Sequence, residues 1–284
     1  MTRKECYEQI VANLSAGGIE DAASDASLLM EYIAEVNKNE LYVHPETEVD
    51  QDACKRLKAA VSDRLKHIPL QHITGVQEFM GLEFTVNEDV LIPRFDTETL
   101  VEEVLKLGLS GVRILDVCTG SGCILLSLLH YMHECEGKGI DISDKALSVA
   151  RSNAAKLGIE ADFACGDLFD ALKSRENTSN KLKYDLIVSN PPYIRTDVIP
   201  TLASEVKDHE PYIALDGSAD GLCFYKKIAD EAPAFLHKGG MLYFEIGFDQ
   251  AKAVSAILSD KGYKDIEVYK DLSGNDRVIR GEWR

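Results

Sequence analysis

From Val112 to the C-terminus, short apolar runs alternate with longer amphipathic stretches, and this alternation confines the chain to a mostly parallel sheet covered by helices on both faces. Val112 to Val117, Lys138 to Ile142, Ala161 to Cys165, Tyr184 to Ser189 and Gly240 to Ile246 read as strands. Helices are expected over Gly122 to Met132, Ser143 to Leu157, Gly221 to Leu236 and Asp249 to Lys261. Lys264 to Tyr269 and Arg277 to Trp283 then follow as strands with no helix between them, so the last is expected to run antiparallel. The polar stretch Lys173 to Lys183 reads as a mobile surface loop. Ligands of such sheets sit outside the carboxyl ends of the strands, so the residues that follow each strand carry the functional question.

Four such positions hold chemistry-bearing residues. Asp116-Val117-Cys118-Thr119-Gly120-Ser121-Gly122 leaves the first strand and opens a helix, the context a nucleotide-cofactor loop requires, with glycines at 120 and 122 that let backbone approach a ligand. The dinucleotide pattern G-x-G-x-x-G fails, because Cys118 replaces an early glycine and Leu125 stands three residues after Gly122. A smaller nucleoside cofactor fits better than a pyrophosphate, with a plain strand-to-helix turn as the alternative. Asp141 after the second strand is placed to accept from both ribose hydroxyls, and Gly166-Asp167-Leu168 after the third is placed to frame an adenine ring. Both aspartates also suit ordinary helix caps.

After the fourth strand comes Asn190-Pro191-Pro192-Tyr193. Two prolines lack N–H groups and have fixed φ, so this segment cannot extend a sheet ladder and holds its carbonyls outward. The Asn190 side chain and the Pro191 carbonyl can accept hydrogen bonds from one planar NH2 group, and Tyr193 can pack on the plane that carries it. That suits alkylation of an amide or of an aromatic amine; a Pro-rich turn without chemistry is the alternative.

The chain ahead of the alternating region is different. Thr2 and Glu5 form a capping-box pattern before one helix that Gly17-Gly18 ends; Asp21 opens Ala22 to Val36, a short turn runs from Asn39 to Val43, and Asp50 starts another helix. Residues 1–72 thus read as a helical bundle with no catalytic constellation, either a partner dock or a stabilising cap. Within 73–92, Val76 to Met80 and Leu82 to Val86 alternate around Gly81 as a hairpin linker, and Asp96 is the expected N-cap of a helix to Leu107 in the third domain, 93–284.

Asp and Glu outnumber Lys and Arg 48 to 31, a formal net charge of −17 that disfavours a nucleic-acid partner, since holding phosphates needs a basic face. No apolar stretch approaches the roughly eighteen residues of a spanning helix, and the first residues lack a signal-peptide apolar region. Seven scattered cysteines without a C-x-x-C pair fit reduced thiols in a cytoplasmic enzyme. His130, His133 and Cys135 have metal-like spacing without a complementary cluster, so no metal is expected.

Taken together, the four strand-end motifs resemble a class I S-adenosylmethionine-dependent methyltransferase whose fourth strand ends in the amino-methylating signature. Gly75 to Phe79, Leu91 to Glu98, Glu210 to Leu215 and Gly274 to Val278 extend the similarity to the release factor glutamine N5-methyltransferase family, often called HemK or PrmC. The resemblance implies an α/β, Rossmann-like seven-stranded class I methyltransferase sheet with its last strand antiparallel, joined through the β-hairpin linker to the small N-terminal helical bundle, which would dock the release factor. It further implies methyl transfer from S-adenosyl-L-methionine, giving S-adenosyl-L-homocysteine, to the glutamine of the Gly-Gly-Gln motif of class 1 peptide chain release factors, with no metal and a monomeric protein. The cofactor would be held by Cys118, Thr119, Gly120, Ser121, Gly122, Asp141, Asp167, Leu168 and Asn190, and catalysis carried by Asn190, Pro191, Pro192 and Tyr193. Cys118 and Phe95 depart from the family, which usually has Gly and Pro there, so the cofactor contact at 118 should rest on backbone. Two other readings stay open: an N6-adenine or N4-cytosine methyltransferase acting on a flipped base, and a catalytically silent binding scaffold.

Overall fold

The computed structural model describes residues 1–173 and 183–284. Of the loop expected over Lys173 to Lys183, residues 174–182 therefore lie outside the described residues. The chain divides into two compact units, Met1–Val76 with Ala203–His209, and Gln77–Leu202 with Glu210–Arg284.

The first unit is helical: α1 (Arg3–Ala16), α2 (Ala22–Ala34), α3 (Lys38–Val43), α4 (Gln51–Arg64) and α5 (Leu70–Thr74). The Thr2–Glu5 capping box forms as the sequence indicates, and a second one, Asn37 with Glu40, starts α3 one residue earlier than expected. Asp50 caps α4 by accepting from the N–H groups of Asp52 and Ala53. Leu14, Ala26, Leu29, Met30 and Leu57 are buried in its core, to which α1, α2 and α4 each contribute one stripe.

In the second unit β1 (Val76–Phe79) and β2 (Leu82–Thr85) form a two-stranded hairpin, followed by α6 (Phe95–Leu105), β3 (Arg113–Val117), α7 (Cys123–Tyr131), β4 (Glu136–Asp141), α8 (Asp144–Leu157), β5 (Asp162–Cys165), α9 (Asp170–Lys173) and β6 (Tyr184–Ser189). After α10 (Ser204–Lys207), which belongs to the helical unit, come α11 (Tyr212–Leu215), α12 (Cys223–Glu231), β7 (Leu236–Glu245), α13 (Ala251–Asp260), β8 (Lys264–Lys270) and β9 (Asp276–Glu282). The hairpin is part of this unit's core rather than a free connector, because Phe79 and Phe84 are fully buried with Leu100, Val101 and Val104 of α6.

The seven strands pair in the order β5-β4-β3-β6-β7-β9-β8, all parallel except β9, which runs antiparallel to both neighbours. Alternate residues serve opposite faces: Leu186 and Val188 pack with α6 and α7, while Ile187 packs with α12 and α13. Both faces of the central strands are therefore dry, which is why these strands read as continuous apolar runs. Register brings the carboxyl ends level, with Val117 beside Ile140 and Ser189, and Asp141 beside Cys165.

Two expectations need correction. Asp96 does not cap α6: Arg94 takes the extended cap position, and Asp96 turns in the first helical turn to pair with Arg277 at 3.1 Å. The helix expected to reach Leu236 stops at Glu231, and Pro233 in the turn that follows lets β7 begin at Leu236.

Candidate functional site

Where the strand ends meet, the second unit encloses a cavity of about 250 Å³. Cys118, Thr119, Gly120, Ser121, Asp141, Asp167, Leu168, Asn190 and Pro192 line it; Gly122, Pro191 and Tyr193, also expected at the site, are not among its lining residues. Asp89, Arg94, Thr97, Ser143, Ile213 and Lys227 line it as well. Sequence did not assign these roles, because their approach to the strand ends depends on long-range packing; only the Leu91 to Glu98 and Glu210 to Leu215 resemblances touched any of them.

The glycine loop is shaped by backbone. Gly120 and Gly122 have φ of 54° and 81°, and a Cβ at Gly120 would meet nothing within 4 Å, so the open side of the loop faces a ligand-sized space. Cys118 also has a positive φ, 64°, a conformation that a glycine would adopt without strain. Burial pushes its thiol pKa well up, so the side chain stays neutral.

Asp141 fastens this loop to β4. Its Oδ2 accepts the Gly120 N–H at 2.9 Å and its Oδ1 accepts that of Ser143 at 2.9 Å, while Ser143 itself caps α8. Burial raises the Asp141 pKa, opposed by those backbone donors. Each carboxylate oxygen keeps a second lone pair, so both can still accept from vicinal hydroxyls. Leu168, at φ 47° and buried, holds Asp167 at the cavity rim, where the Asp167 carbonyl accepts from the Asp170 N–H. The glycine loop, the acid after β4 and the apolar wall at Leu168 and Ile142 together fit a nucleoside with a free ribose edge.

The Asn-Pro-Pro-Tyr segment is held from behind. Ser189 Oγ donates to the Val117 carbonyl at 2.6 Å, tying β6 to β3 just before Asn190. Gln250, at the start of α13, donates from Nε2 to the Tyr193 carbonyl at 3.1 Å and accepts the Gly247 N–H. The Tyr193 hydroxyl donates to Glu245 Oε1 at 3.1 Å, and burial first, then the Glu245 charge, raises its pKa far above the usual range. Asn190 donates from Nδ2 to Thr97 Oγ1 at 3.4 Å. Arg94, which also lines the cavity, pairs with the buried Glu210.

Among the described residues no group of three or more His, Cys, Asp or Glu is arranged to hold a metal ion. Cys135 instead donates to the His133 carbonyl, and His130 packs edge-on against Tyr131. No helix among them is long and apolar enough to cross a membrane.

Residues 5–75 match the PrmC N-terminal domain, and residues 109–265 match a methyltransferase domain. A release factor glutamine methyltransferase of Agrobacterium fabrum is 40% identical over 272 residues, covering 94% of this chain and 92% of that protein. One from Moorella thermoacetica is 39% identical over 284 residues, covering 98% of each. Among solved structures, a methyltransferase from Pyrococcus furiosus superposes with a TM-score of 0.51 at 17% identity, covering 78% of this chain and 98% of that one; it shares the fold.

Proposed function

The chain belongs to the release factor glutamine methyltransferase family, and from that premise we propose that it methylates the side-chain amide nitrogen of the glutamine in the Gly-Gly-Gln motif of class 1 peptide chain release factors. The observation that carries this reading is the placement of Asn190 in the wall of the cavity shaped by the glycine loop and Asp141. S-adenosylmethionine, when bound, supplies an electrophilic methyl group on its sulfonium. Gly120, Asp141 and Leu168 would hold it, by backbone at the loop, by carboxylate at the ribose and by apolar contact at the base.

An amide nitrogen is a poor nucleophile because its lone pair is delocalised, so the protein must orient it rather than deprotonate it. Asn190 Oδ1 and the Pro191 carbonyl would accept the two amide hydrogens, with Tyr193 packed on the amide plane and Pro192 stiffening the segment. Orientation of this kind lowers barriers by about 7 to 11 kcal/mol in the best intramolecular cases. Proton loss follows transfer, when the alkylated nitrogen has become acidic. The helical unit, which carries the PrmC N-terminal domain, would dock the release factor.

The test is incubation of the protein with methyl-labelled cofactor and either release factor or nucleic acid. Label is expected on the glutamine of the release factor; label on a base, with the release factor unlabelled, would overturn the reading. Asn190→Ala is expected to remove most turnover while cofactor affinity, measured by calorimetry, falls much less.

A further inference from the structure

Among the described residues of the second unit, eight large apolar side chains are exposed, and six of them gather at the carboxyl edge of the sheet: Phe95, Ile142, Tyr212, Ile213, Phe248 and Leu272. The other two, Tyr131 and Val268, sit at the far end of α7 and within the edge strand β8. Phe248 follows the carboxyl end of β7, and β8 runs in the same direction as β7, so the β8–β9 turn that carries Leu272 leaves the same edge. Phe95 falls between Arg94 and Thr97, which line the cavity, and Ile213 lines it directly. Ile142 faces the cofactor space already described; the remaining five surround its mouth. Apolar side chains concentrated in this way mark a contact surface, whereas single ones scattered over a protein do not.

One buried guanidinium holds three of these loops together. Arg277, 9% exposed, pairs from Nη2 with Asp96 and with Asp271, each at 3.1 Å, and donates from Nη1 to the Ile246 carbonyl at 3.4 Å. Phe95 precedes Asp96, Leu272 follows Asp271 and Phe248 is two residues beyond Ile246. With about 3.8 Å between consecutive Cα atoms, all three Cα atoms fall within roughly 13 Å of that guanidinium. The loops are fixed while their side chains remain in water, Phe95 at 70% exposure, Phe248 at 67% and Leu272 fully. A surface arranged in advance loses less freedom when a partner binds. The cations adjoining it are paired within the protein, Arg94 with Glu210, Arg277 as above and Lys270 with Asp276, and Asp249 beside Phe248 is exposed. A phosphate backbone would have to break those pairs to find a counter-charge, whereas an apolar polypeptide segment gains contact area at once.

We propose that Phe95, Tyr212, Ile213, Phe248 and Leu272 form the surface on which the methyltransferase unit seats the polypeptide flanking the acceptor glutamine. Apolar side chains of that polypeptide pack on the rim while the glutamine enters the cavity beside Asn190. A glutamine side chain is short, so the backbone that carries it must lie against the mouth of the cavity, which is where the rim is. The inference deepens the amide-methylation reading and rests on it for the identity of the acceptor. It gives the second unit a hold on the release factor of its own, independent of any docking by the helical unit.

Phe248→Ser and Leu272→Ser remove exposed side chains and leave the Arg277 bonds in place. In the full chain each is expected to raise the KM for release factor about tenfold, the scale of an interface anchor, with kcat at saturating release factor and cofactor affinity retained. Calorimetric titration of release factor into the protein loaded with S-adenosylhomocysteine should show the same loss, and the double variant about 100-fold, as independent contacts add. Val268→Ser, apolar and exposed but outside the rim, is expected to change neither. Release-factor affinity unmoved in both single variants, or weakened as much by Val268→Ser, would overturn the proposal. So would a wild-type dimer in sedimentation that Phe248→Ser dissociates, since the rim would then belong to a second copy. A wild-type protein that methylates release factor while the variants bind it normally would defeat the docking surface alone; one that binds cofactor but labels nucleic acid instead of release factor would defeat the functional reading, and the surface with it.

Discussion

Cys118 occupies a left-handed backbone position, φ 64°, in the loop that the cofactor is proposed to approach. A non-glycine residue there is strained by about 1–2 kcal/mol, and a β-branched one is disfavoured further. If the contact rests on backbone, Cys118→Gly should leave cofactor affinity intact, whereas Cys118→Val should weaken it about tenfold or more by displacing the loop. Calorimetric titration checks both, and a large loss in Cys118→Gly would assign the contact to the thiol. Two residues earlier, Asp116 is fully buried, with Oδ2 accepting from the Thr119 hydroxyl at 2.6 Å and Oδ1 unpaired. Burial raises its pKa from 3.8 to about 7. Between those values the folded protein holds a proton that the unfolded chain has released, so the Asp116 contribution to stability falls as pH rises from 4 to 7 and levels off above. The rise corresponds to about 4 kcal/mol. Asp116→Asn should remove that slope from the stability–pH curve and be the more stable protein at pH 8 by denaturant titration; parallel curves would refute the assignment. That the glycine loop and Asp141 meet at the strand ends was legible because their spacing to the strands is local. Thr97 was not, since its meeting with Asn190 spans 93 residues of sequence.

At the scale of elements, the Asn-Pro-Pro-Tyr segment is a rigid arm clamped at its far end. Ile194 bridges to Asp216 in parallel, its N–H donating to the Leu215 carbonyl at 3.0 Å while its carbonyl accepts the Gly217 N–H at 2.7 Å. A Cβ on Gly217 would lie 2.7 Å from Tyr193 Cα and 2.8 Å from Tyr193 C, both backbone atoms that cannot swing aside. Gly217→Ala should therefore push Tyr193 from its bond with Glu245 and lower kcat by about 10², while cofactor affinity, proposed to rest on the glycine loop and Asp141, holds. Equal loss of both would show that the clamp supports the whole cavity. Sequence signals located these elements well where the signal is local, as with the Thr2–Glu5 capping box and the dry strand Tyr184–Ser189. They failed at α6, where Asp96 is an attractive cap by type but has a better partner in Arg277, supplied by a strand nearly two hundred residues on.

The chain divides into two compact units, and stability in one need not track stability in the other. Alternating strand and helix patterns announced a parallel sheet, but the assignment of Ala203–His209 to the helical unit had no local signal. That segment enters through charge. Arg64 on α4, 6% exposed, bonds Asp25 on α2 at 2.6 Å and Glu205 on α10 at 2.6 Å. Two carboxylates, one of them buried, share a single guanidinium, so removing it leaves like charges facing each other with no counter-ion. Breaking a buried pair from one side destabilises by about 3–5 kcal/mol, more than the pair itself contributes. Arg64→Met preserves the length of the apolar stem and deletes the charge. It should accelerate amide exchange across α2, α4 and α10, whereas β3, β4 and β6 keep their protection and cofactor affinity is unchanged. Turnover on the release factor should fall through KM if the helical unit docks that substrate, and through neither KM nor kcat if the unit is only a cap. Loss of protection in the sheet together with the helices would show one cooperative molecule, and would remove the basis for treating docking and chemistry as separable functions of this chain.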